Sequence, residues 1–449
     1  MTPNYVIDLS THGHQHPAIK LSIGPKALVS PDKASPRILV VGGGVSGLMT
    51  AWILLDKGYR VTILAKEWAW TRDWQHSRLT SQIAGALWEY PPGGCGLTEI
   101  ESPAPGFADL KNYQEWALES LEFYTKLNVM LNGQLRTEFG VSITALNQFF
   151  YHSMKPTNGA DYGKFVDIQK ACENKRMDGF INYPDHESLQ NLFDGLGVEQ
   201  EWQRNLQSGY AHDTAIIDTD KAMNFLMTLV RNKGAEFETK EFDGKQPLTD
   251  LAGDLKIRYN SVAIINATGL GAKELAPDED VYPVRGAIKR IRNDNSGAFQ
   301  SLSQAYLIPA QHDDDGQQTK VVFLVPRNHE TLIVGSIIQP NNDQLNLVES
   351  SPEVEAMWKT ARSFLPSLND AGTLPWYPLA QGLRPFTRNN AKVRAADAEI
   401  PVIHNYGHGG SGWTLAVGCA RSAVYLLELM LQPNATAARA NEEVYPERS

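Results

Sequence analysis

Short, uninterrupted apolar runs alternate with longer stretches of helical periodicity along most of this chain. Ile38 to Val41, in "RILVVGGGVSG", is such a run, the pattern of a strand covered on both faces. Residues 48–58, "LMTAWILLDKG", are rich in helix formers and stop at Gly58; "YRVTILAKE" follows as a second strand ending at Lys66 and Glu67. After a stretch with helices in "DLKNYQEWALESLEFYTKL" and "HESLQNLFDGLG", the alternation returns. A capped helix is expected from about 219 to 232, with Gly234 as its stop and a strand beyond, then a buried strand from Val262 to Ile265. "KVVFLVPRNHETLIVGSIIQ" reads as a hairpin, two apolar runs joined by "RNHE". The last apolar stretch, "IPVIHNYGHGG", leads into a periodic helix from about Thr414 to Leu431, ending before Pro433. Strands that resume helix alternation after a long insertion predict an α/β chain with one nucleotide-binding sheet interrupted by a second domain.

Composition narrows this picture by exclusion. The formal net charge of -10 argues against nucleic acid as the partner, since phosphate binding needs clustered Lys and Arg. Cys95, Cys172 and Cys419 are odd in number and widely spaced, which predicts no disulfide framework and a reducing compartment. No segment approaches a membrane span, the N-terminus lacks the basic-then-apolar pattern of a secretory signal, and "YPERS" is no peroxisomal address; the expectation is cytoplasmic. Residues 1–36, with His12, His14 and His16, are expected to form an exposed arm, and Asp313 to Asp315 a solvated loop; no metal site is expected.

Two glycine clusters carry the chemistry. Gly42, Gly44 and Gly47 have the spacing G-x-G-x-x-G between a strand and a helix, and Glu67 lies at the end of the next strand. Gly42 would make a tight turn, Gly44 would admit a pyrophosphate and Gly47 would let helix and strand pack closely, while Glu67 accepts from an adenosine ribose. This loop suits NAD and FAD alike. The second cluster, Gly407, Gly409, Gly410 and Gly412, also precedes a helix N-terminus. One pyrophosphate is already served, so a second positive helix end favours FAD, whose reduced ring gains negative charge that fixed donors stabilise. Ala84, Gly85 and Ala86 are small enough to let the backbone approach a flat cofactor.

The segments "RILVVGGGVSGL", "SQIAGALW", "INATGLGAKEL", "PVRG", "GLRPFTR" and above all "HNYGHGGSGWTLAVGCA" resemble the D-amino-acid oxidase family, in family order from 37 to about 432. The resemblance implies a discontinuous Rossmann-like FAD-binding domain of the glutathione-reductase type over 37–90, 209–282 and 384–432. It implies a substrate domain on a mixed sheet over 91–208 and 283–383, with 1–36 as an extension and 433–449 as a tail. It places FAD on Gly42, Gly44, Val45, Ser46, Gly47, Lys66 and Glu67 at one end. Ser81, Gly85, Ala86, Leu87 and Gly269 follow, then Gly409, Gly410, Ser411, Gly412, Trp413 and Thr414 at the other end. The implied reaction is hydride transfer from the α-carbon of a D-amino acid to the flavin, hydrolysis of the imino acid and reduction of O2 to H2O2; a homodimer is compatible with it.

Arg384 matches the family's carboxylate-binding arginine, and a guanidinium fork is suited to that task. Phe323 stands where the family has a substrate-contacting tyrosine, and Tyr306 in "QAYLIP" is the other alignment of that motif; with Arg384 and Gly410 they complete the expected catalytic set. Ile337 and Ile338 fall where some fungal members carry a second tyrosine, and the glutamine after "PVRG" is Ala287. His408 is expected to pack and hydrogen-bond. These departures leave a secondary amine, a glycine-like substrate or a biosynthetic intermediate as the alternative, and an FAD-binding protein without turnover as a third reading.

Overall fold

The computed structural model describes residues 6–9, 16–69, 78–93, 104–131, 139–309 and 320–446. Its strands form a six-stranded sheet, an eight-stranded sheet and a two-stranded ribbon. The six-stranded sheet runs, edge to edge, Lys392–Ala395, Val402–Tyr406, Ala263–Asn266, Arg37–Val41, Arg60–Ala65 and Glu236–Thr239. All neighbours are parallel except the outermost pair, Lys392–Ala395 with Val402–Tyr406. In the central strand all five residues are buried. Ile38 and Val40 face a core shared with the helices Val45–Asp56, Thr219–Asn232 and Ala416–Met430; Leu39 and Val41 face the helix Leu248–Tyr259. Cover on both faces is why this strand reads as continuous rather than alternating.

The eight-stranded sheet is mixed. Its order is Leu379–Thr387, Val281–Arg292, Thr331–Pro340, Val322–Pro326, Ala305–Ile308, Val141–Phe150, Ser208–Ile217, Ile181–Tyr183. Only Ala305–Ile308 with Val141–Phe150 is parallel. The expected hairpin is present, Val322–Pro326 pairing antiparallel with Thr331–Pro340.

Four expectations about organisation need correction. The stretch from 209, expected as a loop of the FAD-binding domain, is the strand Ser208–Ile217, which pairs over its whole length with Val141–Phe150 in the eight-stranded sheet. The helix Leu110–Leu131, expected with the substrate domain, packs on Ala416–Met430, so closely that a Cβ on Gly418 would come within 2.3 Å of the Trp116 Cα. The expected boundary at residue 384 falls inside the strand Leu379–Thr387, which pairs continuously with Val281–Arg292. Neither terminal segment is a free arm where it is described. Val6–Leu9 and Ile19–Ser22 form the two-stranded ribbon with Ile7, Leu9 and Leu21 fully buried, and His16 is buried against Arg421 and Ser422. Asp56 secures this segment, accepting from Ser22 N at 2.8 Å, Leu28 N at 3.0 Å and Trp52 Nε1 at 2.9 Å, and pairing with Lys233 at 2.7 Å. At the other end, the helix Ala437–Val444 docks through Asn441, whose amide exchanges two hydrogen bonds with the backbone of Ala395. Cys95, His12, His14 and Asp313 to Asp315 lie outside the described residues. Among those described, no helix is long and apolar enough to cross a membrane.

Candidate active site

A cavity of about 750 Å³ runs between the carboxyl ends of the parallel strands and the face of the eight-stranded sheet. Both glycine clusters open on it, and their turns adjoin: a Cβ on Gly412 would lie 4.0 Å from Val45 Cγ1, and Ser81 bonds to both Val45 and Trp413.

At the first turn, Gly42 leaves the central strand with φ +125, and its N–H donates to Leu64 O at 2.8 Å. A Cβ there would lie 2.2 Å from Ala267 O, so the turn admits only glycine. Gly47 does not line the cavity; its missing Cβ would meet Gly42 O at 2.1 Å, and its role is to seat the helix Val45–Asp56 against the turn. That helix begins without a side-chain cap. Val45 N–H is held by Ser81 Oγ at 3.0 Å, and the following helix N-terminus faces the cavity through Val45 and Ser46. Glu67 lines the same cavity, exposed. Lys66 lines it too, but its ammonium is paired at 2.5 Å with Glu241 at the surface.

The second turn follows the strand Val402–Tyr406. Gly409, at φ +54, donates to Pro385 O at 2.9 Å, which ties the turn to the strand carrying Arg384. Trp413 closes the wall by donating its indole N–H to Ser81 O at 2.8 Å. Among the described residues, the backbone N–H groups of Gly410, Gly412, Trp413 and Thr414 find no acceptor, and those of Gly85, Ala86 and Leu87 likewise. Unpaired donors gathered on one cavity wall suit a ligand with acceptors at those points. His408, buried beside this turn, has Nδ1 at 3.5 Å from Ser46 Oγ, while Nε2 is buried without a partner. Burial pushes its pKa down to about 4, so the ring is neutral at physiological pH. A cavity lined by two helix N-termini, unpaired backbone donors, the carboxylate of Glu67 and an orphaned ring nitrogen fits FAD.

The far wall belongs to the eight-stranded sheet. Arg384 lies directly on Gly286, where a Cβ would meet the guanidinium at 2.3 Å, and its Nη1 donates to Ile337 O at 3.2 Å. Among the described residues it forms no ion pair. Phe323, Ala287, Ile288, Ala380 and Ser336 complete that wall around it. Phe323 leans on Gly85, whose Cβ would touch the ring at 2.9 Å.

Tyr306 is not in this site. It pairs across the sheet with Leu324, while its neighbour Leu307 pairs with Phe323. Strand alternation therefore sends Leu307 and Phe323 to the cavity side and Tyr306 to the other, where it stacks on Phe149 at 6.5 Å. Burial raises its phenol to about 12. Ile337 and Ile338 do not line the cavity, nor do Trp116, Tyr124, Tyr151 and Tyr162. Apart from Gly47, the other residues expected to hold FAD line it, including Gly44, Ala86, Leu87, Gly269, Ser411 and Gly412, as do Arg384 and Phe323.

Ser336 is the residue that sequence reading missed. Pairing shifts between Ala287 and Lys289, so that Gly335 and Ser336 together oppose Ile288. Such a bulge re-aims a side chain, here onto the cavity beside Phe323. No motif marks a bulge of this kind, because it arises from the register of two strands far apart in sequence.

Comparison with known proteins agrees with this geometry. The family model described as FAD dependent oxidoreductase matches residues 37–426. A D-amino-acid oxidase from Streptomyces coelicolor is 27% identical over 402 residues, 88% of this chain and 98% of that one. Among solved structures, glycine oxidase from Bacillus cereus superposes with a TM-score of 0.59 at 15% identity, covering 91% of this chain and 97% of that one. L-alpha-glycerophosphate oxidase from Mycoplasma pneumoniae with FAD bound gives 0.59 at 16% identity, covering 90% and 98%.

Proposed function

Because the chain belongs to the FAD dependent oxidoreductase family, we propose that it oxidises the carbon–nitrogen bond of an α-amino acid, specifically a D-amino acid, with O2 as electron acceptor. The substrate class rests on the relatives named D-amino-acid oxidase. The one observation in this chain that carries it is Arg384, a guanidinium without a carboxylate partner among the described residues, opening on the cavity that both glycine turns line.

Bound FAD supplies a two-electron acceptor, reoxidised by O2 to give H2O2. The protein's part is to hold and shield. Arg384, seated on Gly286 and braced by Ile337 O, binds the substrate carboxylate and so fixes the α-carbon. The α-carbon loses hydride as the neutral amine's lone pair forms the C=N bond, and water then hydrolyses the imine to a 2-oxo acid and ammonia. Phe323, Ile288 and Ala287 make the surroundings apolar and exclude water from the transfer. Ser336 is the hydroxyl within this wall, in place of the tyrosine absent at Phe323. Among the described residues no carboxylate pairs with Arg384 to serve as a base, and a hydride mechanism on a neutral amine needs none.

The deciding experiment is anaerobic mixing of the yellow holoenzyme with a panel of D- and L-amino acids, glycine and N-alkyl glycines. Bleaching by D-amino acids alone is expected, with equimolar H2O2 and 2-oxo acid on readmitting air. Bleaching only by N-alkyl or cyclic amines would replace this reading with the secondary-amine one, which the missing hydroxyl at Phe323 favours.

A further inference from the structure

The hairpin link "PRNHE" carries no recognisable motif, yet its arginine reaches the cofactor wall from behind. Arg327 is 4% exposed, and its Nη2 donates to Ala84 O and, at 3.2 Å, to Gly85 O. The next carbonyl, Ala86 O, accepts from Ile217 N at 3.0 Å, with Ala86 itself in the left-handed region at φ 51. Three successive carbonyls are thus turned away from the cavity onto protein donors. In a planar trans peptide the N–H points opposite to the C=O. The N–H groups of Gly85, Ala86 and Leu87 must then point the other way, and these are the ones that lack acceptors in the cavity wall. Left alone, an Ala-Gly-Ala segment has no reason to hold that arrangement, because a left-handed alanine costs roughly 1 kcal/mol.

Charged groups also gather behind the wall. Arg327 shares its surroundings with Arg78 and Arg290, against Asp218 and Asp220. Arg78 is bound to Asp220 at 3.2 Å, Asp218 accepts from Asn328 at 2.8 Å and pairs with Lys221 at 3.6 Å, and Arg290 lies over the Tyr377 ring. Burial pulls Arg327 down to about 10, which still leaves it charged at neutral pH.

We propose that Arg327 is a positioning residue for the cofactor: it locks the peptide planes that follow residues 84 and 85 so that the Gly85 and Ala86 N–H donors face the flavin, and its buried charge favours the reduced, more negative form. This rests on FAD occupying the cavity and is independent of which amine is oxidised.

The test uses the full-length protein and needs no substrate. For Arg327→Met, CD and the melting of the apoprotein report folding, titration with FAD reports affinity, and reduction by dithionite against a reference dye reports potential. The expected result is a folded protein that binds FAD about tenfold more weakly, as loss of a charged hydrogen-bond pair implies. Its two-electron potential should be more negative by about 30 mV for each tenfold loss of preference for the reduced form. Arg327→Lys keeps the charge, but its ammonium ends one bond short of the Nη2 position that holds both carbonyls, so its potential should return toward the parent's while FAD affinity is only partly restored. Unchanged FAD affinity and potential in a folded Arg327→Met would overturn the proposal. If that variant does not fold, Arg327→Lys decides: parental FAD affinity there shows that the double grip is unnecessary and overturns it equally.

Discussion

The cofactor wall of the cavity is made largely of backbone, and the substrate wall of side chains. Gly410, Gly412 and the 85–87 segment present N–H groups that find no acceptor among the described residues. Arg384, Phe323 and Ser336 act by what their side chains reach, and their reach depends on strand parity and one bulge. A backbone wall recognises what all members of a cofactor class share; a side-chain wall can change its ligand by changing one residue. Chemistry common to a family therefore sits on the first wall, and substrate choice on the second.

The largest effect should come from damaging the backbone wall. Gly42→Val puts a branched side chain where even a Cβ has 2.2 Å to Ala267 O, in a left-handed conformation that valine resists. The expected product is colourless protein, checked by the visible absorption after purification with added FAD; a yellow variant would show that the turn is not rigid. Next is Arg384→Ala, which should keep the colour and lose on the order of 10²–10³-fold in kcat/KM for carboxylate substrates, as removal of one partner of a buried charge pair does. Colour lost together with turnover would mean that the two walls are not separable.

Acid should weaken both parts of the molecule alike. Burial pushes His404 and His408, near the cofactor turn, and His212, in the eight-stranded sheet, down to about 4 from 6.5. Between those values the unfolded chain binds protons that the folded chain refuses, so stability rises with pH through this window. Their contribution is complete above pH 6.5 and is lost as pH falls toward 4. The melting temperature should drop by several degrees from pH 7 to pH 5, on the order of a few kcal/mol in all; a flat profile would place these rings in wetter surroundings. The smallest effect is expected at Tyr306→Phe, within about twofold in kcat/KM, because the phenol lies on the far face of the sheet. A large loss there would reverse the assignment of faces.

Much of this was legible in the chain itself. The first strand, its glycine turn, the helix and the acid at Glu67 are consecutive, and each is a local consequence of apolar run, glycine spacing and helix propensity. The second turn was as plain, for the same reason. Arg384 was legible only through a family motif. The choice between Phe323 and Tyr306 was not, since both follow small apolar runs and a single-residue change of register exchanges the faces of a strand.

The sequence by itself determined the cofactor end: local conformational limits on glycine and the polarity of a helix N-terminus act over a few residues and need no distant partner. Only the tertiary structure decided the rest. It moved Ser208–Ile217 and Leu110–Leu131 to the opposite units from those expected, buried the N-terminal ribbon on Asp56, turned Tyr306 away, brought Ser336 to the cavity and set Arg327 behind its wall. Each of these depends on pairing register and packing between segments remote in the chain, where the free energy of burial, not local preference, selects the neighbour.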